Sequence, residues 1–254
     1  MSAIYNGLIF HPLYNALIGI FTILPLADAG IAVIILTILV RLILYPLSKK
    51  AVLTQVKMQE INPDLQRIKE QYKGNQEEQA RATLALYKEK GVNPFSGALV
   101  LLIQLPIIFA LYKIFLHAGF PNVDASLLYS FVHVPAHINT VFLGLIDITD
   151  KSAVLAVLAA VSSFFQLKLA TTNQALPKKD QSGKSKENFG QDLAASMQKQ
   201  MKYFFPIIVL FISYKISGVI ALYWLTSNLF TIGQEIVVRR KIKKSDTASE
   251  VVAI

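Results

Sequence analysis

With 254 residues, of which 54% are apolar and only 16% charged, against about a quarter charged in an average soluble domain, the chain is expected to pack as helices in lipid rather than as a soluble fold. The absence of cysteine excludes disulfides, thiolate metal sites, cysteine nucleophiles and cysteine lipidation. The net charge of +9 does not mark a nucleic-acid binder, because the cations sit beside apolar spans and not on one face of a soluble domain.

Residues 1–27 are apolar, interrupted by His11, Pro12 and Asn15, and carry no Lys or Arg. They are expected to form an N-terminal interfacial amphipathic helix leading into the first span, and they lack the basic region and cleavage site of a signal peptide. Residues 28–48 read as the first transmembrane helix. Residues 49–94 read as a cytoplasmic helical hairpin whose arms, Ala51 to Tyr72 and Gln76 to Lys90, are parted at Lys73-Gly74-Asn75. Pro63 is expected to kink or divide the first arm, since it removes a backbone donor. A second span covers 95–117, an extracytoplasmic loop 118–150, and a third span 151–170. A cytoplasmic connector follows at 171–202, flexible and polar over Leu176 to Asn188. The apolar stretch 203–238 is long enough for two spans, with Ser217-Gly218 as the turn between them. Residues 239–254 form a basic cytoplasmic tail, expected to be disordered from Ser245 onward.

The cations fix an orientation. Segments 49–94, 168–202 and 239–244 hold nine, seven and five of the 25 Lys and Arg, whereas residues 1–30 and 118–150 hold none. Because Lys and Arg accumulate in cytoplasmic loops, five spans with the N-terminus outside and the C-terminus in the cytoplasm place all three basic segments on one side.

The first span contains Arg41, eight residues before Lys49, so a straight helix would bury it about 12 Å from the cytoplasmic boundary. A charge at bilayer depth costs at least about 2.5 to 3.5 kcal/mol and is by default a functional-site hypothesis. It either snorkels toward the interface or faces a wet cavity, and Pro46, by leaving the Leu42 carbonyl without its usual donor, could widen the cytoplasmic mouth of such a cavity. Gln104 lies mid-span in LIQLPIIFALY beside Pro106; its amide needs a partner, whether as glue between helices or as a cavity wall. In LYWLTSNLFTIGQE a rotation of about 100° per residue puts Trp224, Ser227, Asn228, Thr231 and Glu235 in one polar stripe. Together these residues argue for a polar cavity that opens to the cytoplasm and carries one positive charge with no obvious acidic partner. The hairpin's mixed charges fit either a solvated antiparallel pair or a docking surface.

The segments RLILYPLSKKAVLTQVKMQEINPDLQRIKEQY, NPFSGALVLLIQLPIIFALYKIF, FLGLIDIT, MKYFFP and LYWLTSNLFTIGQE, in this order and spacing, resemble the YidC/Oxa/Alb family of membrane protein insertases from Phe10 to Arg240. The resemblance implies an all-α membrane protein with five transmembrane helices around a cytoplasm-open hydrophilic groove. It implies a non-enzymatic insertase and chaperone that admits hydrophilic segments of newly made membrane proteins, Sec-independently or with the Sec translocon. On this likeness the substrate groove comprises Arg41, Gln104, Trp224, Ser227, Asn228 and Thr231. Lys57, Met58, Arg67 and Lys69 on the hairpin would serve substrate capture or docking of the signal-recognition targeting machinery, and Arg239, Arg240, Lys241, Lys243 and Lys244 would meet the ribosome or lipid headgroups. The implied location is the bacterial inner membrane. Relative to many family members, the chain has no large extracytoplasmic domain ahead of the first span, no lipobox cysteine, and no proline in the turn before the last helix.

No nucleotide-binding motif or paired-carboxylate metal site is present, so neither a cofactor nor a metal is expected, and energy would come from partitioning of the substrate's apolar helix and the membrane potential. A transporter or channel using Arg41 for anions does not account for the long basic hairpin. An intramembrane enzyme fits less well: His133 and His137 have metal-like spacing but are separated by Pro135, and Ser196 with Lys199 matches SxxK only in a polar connector.

Overall fold

A computed structural model describes residues 2–24, 28–93, 96–116, 121–171 and 189–252. The first helical stretch comprises α1 (Ser2–Tyr5), one π-helical turn (Asn6–Phe10) and α2 (His11–Ile23). It is followed by α3 (Ala29–Ile43), α4 (Tyr45–Glu60), α5 (Asn62–Gln71), α6 (Gln76–Glu89) and α7 (Ser96–Leu116). A two-stranded hairpin, β1 (Val141–Phe142) and β2 (Ile146–Asp147), precedes α8 (Ala153–Thr171), α9 (Phe189–Ile216) and α10 (Gly218–Val252). Among the described residues, two helices, Ala3–Ile23 and Ala153–Ala170, are long and apolar enough to cross a membrane, and α3 with α4 passes the same test as a pair bent by 64°.

That bend replaces the straight helix expected over 28–48. The Leu44 N–H closes α3 on the carbonyls of Val40 and Leu42, and Pro46, in the first turn of α4, has no N–H with which to continue the ladder. The chain therefore turns between Ile43 and Tyr45. With the 64° bend, the rise from Arg41 to Lys49 along the α3 axis falls from about 12 Å to about 8 Å at 1.5 Å per residue. The bend also puts Arg41 in the last turn of α3, where the unpaired carbonyls of a helix end favour a cation.

Beyond the bend, α4 and α5 divide at Ile61, just before Pro63, and α5 turns into α6 through Gly74, whose φ of 91° suits glycine. Asn75 caps α6 by accepting the Glu78 N–H at 3.2 Å. The hairpin carries a small core of its own, Ile61, Leu86 and Val92, flanked by Met58, Leu65, Ile68 and Tyr87.

At the opposite end of the bundle, residues 121–152 form a cap. The N-termini of α3 and α10, which would otherwise leave orphan N–H groups, are satisfied by it: Ala29 donates to the Asn139 carbonyl at 2.8 Å, Gly218 to Asp150 at 2.7 Å and Val219 to Ile148 at 2.8 Å. Asp28 takes the Gly30 and Ile31 N–H groups on one carboxylate oxygen and the Leu143 N–H on the other. Gly30 and Gly218 are required by the closeness of the cap. A Cβ on Gly30 would run into the Phe142 ring, and one on Gly218 would meet the Ile148 backbone at 3.1 Å. The first helical stretch leans on the same end, with Asn15 donating to the Leu127 carbonyl and accepting the Tyr129 N–H. It also runs along α7: the Tyr5 hydroxyl reaches the Pro106 carbonyl and Lys113 lies over the Phe10 ring. Phe10, Leu17, Ile18, Ala32, Val33, Leu111, Ile114 and Ile220 form the core beneath the cap.

Helix α8 buries Leu155, Ala156, Ala159, Ser162 and Ser163 against α9 and α10 and exposes Val154, Leu158, Val161 and Phe165. An exposed apolar stripe opposite a buried face with small and polar residues is what lipid contact outside and close helix packing inside require. One expectation is corrected: the tail expected to be disordered from Ser245 continues α10 as far as Val252. The end of the connector expected over 171–202 is helical from Phe189. Both stretches lack a helix breaker beyond Gly190, and extending an existing helix is far easier than nucleating one. The flexible segment Leu176 to Asn188 lies outside the described residues.

Candidate functional site

Three helices converge on Arg41. Its Nη2 donates to Gln104 Oε1 of α7 at 2.9 Å, and Gln104 Nε2 donates to the hydroxyl oxygen of Tyr223 on α10. The relay runs from a charged donor through a neutral amide to a phenol, and Tyr223 is almost completely buried whereas Arg41 and Gln104 are only partly so. Gln104 lies two residues before Pro106, where the proline's missing N–H loosens the ladder of α7. Among the described residues Arg41 has no ion pair. The same two helices expose apolar side chains: Ile38, Leu39, Leu42 and Ile43 on α3, and Leu105 and Phe109 on α7. The arrangement offers a partly buried positive charge with a neutral hydrogen-bonded backing, carried by helices that also expose apolar surface.

The polar stripe of α10 does not act as one wall. Trp224, adjacent to Tyr223, is half-buried against the core, and Thr231 donates back to the Ser227 carbonyl at 2.8 Å. Ser227 is fully buried. Asn228, expected in the groove, instead ties α10 to α8: its Nδ2 faces Ser163 Oγ at 2.7 Å, Ser162 Oγ at 3.0 Å and the Ala159 carbonyl at 3.4 Å. Glu235 is buried and pairs with Arg239, one turn on, at 2.8 Å.

Arg239 is correspondingly not a free tail cation. Its Nη1 also donates to Gln59 of α4 at 3.2 Å, while Ser48 of α4 exchanges hydrogen bonds with Gln234. Arg240 and Lys241 are exposed; the side chains of Lys243 and Lys244 lie outside the described residues. On the hairpin, Lys57 and Lys69 are exposed, Arg67 pairs with Asp64 at 3.3 Å, and Met58 packs on the hairpin core instead of standing on its surface. His133 and His137 are exposed on the cap, and the side chains of Ser196 and Lys199 lie outside the described residues.

Tyr223 is the residue that sequence reasoning missed. A tyrosine in an apolar helix is ordinary, and the available signal was the need of the Gln104 amide for an acceptor.

The model of the 60Kd inner membrane protein family matches residues 21–245. The chain belongs to that family. Among its relatives, the membrane protein insertase YidC of Fusobacterium nucleatum is 33% identical over 212 residues, covering 84% of this chain and 86% of the relative. The YidC insertase of Clostridium tetani is 29% identical over 245 residues, covering 96% of this chain and 97% of the relative. That of Wolinella succinogenes is 28% identical over 220 residues but is matched over only 35% of its length. The family match takes in α3 through α10 as far as residue 245, and so includes the helices that carry Arg41, Gln104 and Tyr223.

Proposed function

We propose that the chain is a bacterial inner-membrane insertase that lowers the barrier for a short hydrophilic segment of a newly made membrane protein while the adjoining apolar helix partitions into lipid. The observation that carries this reading is Arg41, held by a neutral amide and unpaired among the described residues. In a partly desolvated site a cation attracts an acidic or polar segment more strongly than it would in water, and the exposed apolar flanks of α3 and α7 suit the helix that follows. Gln104 and Tyr223 position the guanidinium, and Trp224 follows Tyr223 along α10. In this reading five helices cross the bilayer, α3 with the start of α4, α7, α8, α9 and α10, with the cap outside and the hairpin and tail in the cytoplasm. Lys57, Arg67 and Lys69 face incoming chains or targeting factors there, and Arg240 and Lys241 face the ribosome or lipid headgroups. The driving force is burial of the substrate's apolar helix, about 0.8 kcal/mol per methylene, with no cofactor, and the insertase acts alone or beside the Sec translocon in the same membrane.

The test is photocrosslinking during translation of a single-span substrate, with probes at Leu42, Gln104 and Trp224 and a lipid-facing control at Leu158. Adducts confined to the first three positions are expected. In parallel, Arg41→Ala is expected to cut insertion of weakly hydrophobic single-span substrates several-fold at unchanged expression. No adducts at any of the three sites with folded protein and bound ribosomes, together with saturable anion uptake in liposomes, would overturn the reading in favour of transport.

A further inference from the structure

The cap does more than satisfy helix ends, because it holds large apolar side chains out in the open. Phe131, Leu143 and Leu145 are 74%, 62% and 82% exposed, and Tyr129 and Val134 are exposed as well. The Tyr129 and Phe131 rings lie 5.5 Å apart. These side chains are displayed by a fixed scaffold. Leu143 sits at the tip of the β1–β2 turn with φ of 53°, a conformation that disfavours any side chain, and it is kept there by the Asp28 carboxylate on its N–H. Gly144 follows with φ of 70°. A strained leucine beside a glycine would be an odd choice for a turn meant to face water, where Asn or Asp adopt that conformation at less cost.

Three observations say what covers the patch. The tip is bonded directly to the first residues of α3, and Ile148 and Asp150 to those of α10, so the patch lies at the level where these helices begin. Residues 118–150 contain no Lys or Arg, and the charged groups exposed there are the carboxylates of Asp124 and Asp150, neither of which lies among the apolar side chains 129–145 in sequence. The lipid-suited stripe of α8 starts at Val154, a few residues beyond β2, and the charged side chains exposed between the two, Asp150 and Lys151, are of the kind that lipid headgroups accommodate.

We infer that the cap is an interfacial anchor: Phe131, Leu143 and Leu145 dip into the outer leaflet and hold the closed end of the bundle at the membrane surface. An apolar tip flanked by aromatic residues at helix-end depth is the pattern of groups that settle in the headgroup and upper acyl region. The inference rests on the proposed topology, with the cap outside. Pinning the cap also pins the N-terminus of α3 through Asp28, and so fixes the height of Arg41.

The chain has no cysteine, so single-cysteine variants can be labelled with an environment-sensitive fluorophore in the full-length protein. Phe131→Cys and Leu145→Cys would be compared with Leu158→Cys as an acyl-chain control and Lys73→Cys as an aqueous control, in phosphatidylcholine vesicles carrying shallow or deep spin-labelled lipid. The expected result is blue-shifted emission at 131 and 145, quenched at least twofold more by the shallow than by the deep spin label and little by aqueous iodide, at every protein-to-lipid ratio. Iodide quenching at 131 and 145 equal to that at 73, with Leu158→Cys still quenched by lipid, overturns the anchor and leaves the topology standing. Failure of lipid quenching at 158 counts against the topology itself. Shielding that appears only at high protein-to-lipid ratio overturns the anchor in favour of a second copy of the chain.

Discussion

Arg41 is backed by an amide, not a carboxylate, and this single choice of side chain decides whether its charge is available. A carboxylate at the position of Gln104 would form a partly buried ion pair with Arg41 and cancel the field that a substrate could use. Gln104→Glu is nearly isosteric, so it separates charge from shape. The expected outcome is retained thermal stability with loss of insertion comparable to that of Arg41→Ala, the largest drop falling on substrates whose leading segment is acidic. Undiminished insertion by a stable Gln104→Glu protein would mean that the unpaired charge is not what substrates use. At this scale Arg41 and Gln104 were legible in the sequence because a charge or an amide inside an apolar run conflicts with its surroundings. Tyr223 and Asn228 were not. Five residues at 100° each put them about 140° apart around α10, one toward Arg41 and Gln104 and the other toward α8. Periodicity reveals that a helix has polar residues, but not which neighbour each of them faces.

Among the elements, α8 and α10 are joined by a polar contact that accounts for the Asn228 amide. Ser162 and Ser163 both donate to the Ala159 carbonyl at 2.8 Å and are in turn within reach of Asn228 Nδ2, so the amide completes a small network buried in an apolar surrounding. Such interhelical bonds contribute about 0.6 kcal/mol on average and up to about 1.7 kcal/mol in membrane proteins. Asn228→Ala is therefore expected to lower unfolding free energy by about that amount, measured by denaturation in mild detergent, while leaving the pattern of substrate adducts at Leu42, Gln104 and Trp224 unchanged. A shift in adducts without loss of stability would return Asn228 to the groove. The bend between α3 and α4 was half legible: Pro46 announced a weakness, but a proline can kink a helix or divide it, and only the turn at Leu44 decides that α4 belongs to the hairpin side.

The cap is the element that sequence reasoning left as a plain loop, since its bonds join residues more than a hundred positions apart, such as Asn15 with Tyr129 and Asp28 with Leu143. It also supplies a pH dependence. Burial alone would raise the Asp147 pKa, but hydrogen bonds from the Thr149 hydroxyl and N–H and from the Thr140 hydroxyl outweigh it and hold the carboxyl below its usual 3.8. A carboxylate with a depressed folded pKa stabilises the folded cap above its unfolded pKa, and that stabilisation disappears as pH falls through the folded value. Cap stability is thus expected to be flat at neutral pH and to decline below about pH 4. In Asp147→Asn this part of the acid sensitivity should be missing, as read by the acid dependence of amide exchange in residues 139–150.

Taken as a whole, the molecule is closed at one end and jointed at the other. The cap end is tied by backbone bonds to helix termini and by an apolar core, whereas the hairpin end is held by a few side-chain contacts: Arg239 to Gln59, Gln234 to Ser48, and Gln55 to the Ala170 carbonyl. Segments with few buried apolar contacts open at lower free energy than the global fold, and among the described residues the core around α5 and α6 buries Ile61, Leu86 and Val92. Arg239 matters here because it stands on the same helix as Tyr223 while gripping the arm that begins four residues after Arg41, directly past the bend. Arg239→Ala removes the grip on Gln59 and leaves Glu235 buried without its partner, so amide exchange in α4, α5 and α6 should rise severalfold while exchange in the cap stays unchanged. Hydrogen–deuterium exchange of the full chain in lipid nanodiscs reads both ends at once. Equal acceleration in the cap would mean that Arg239 supports global stability; no acceleration at either end would mean that the hairpin is held by its remaining contacts, and that a partner engaging the tail has no lever on the arm beside Arg41.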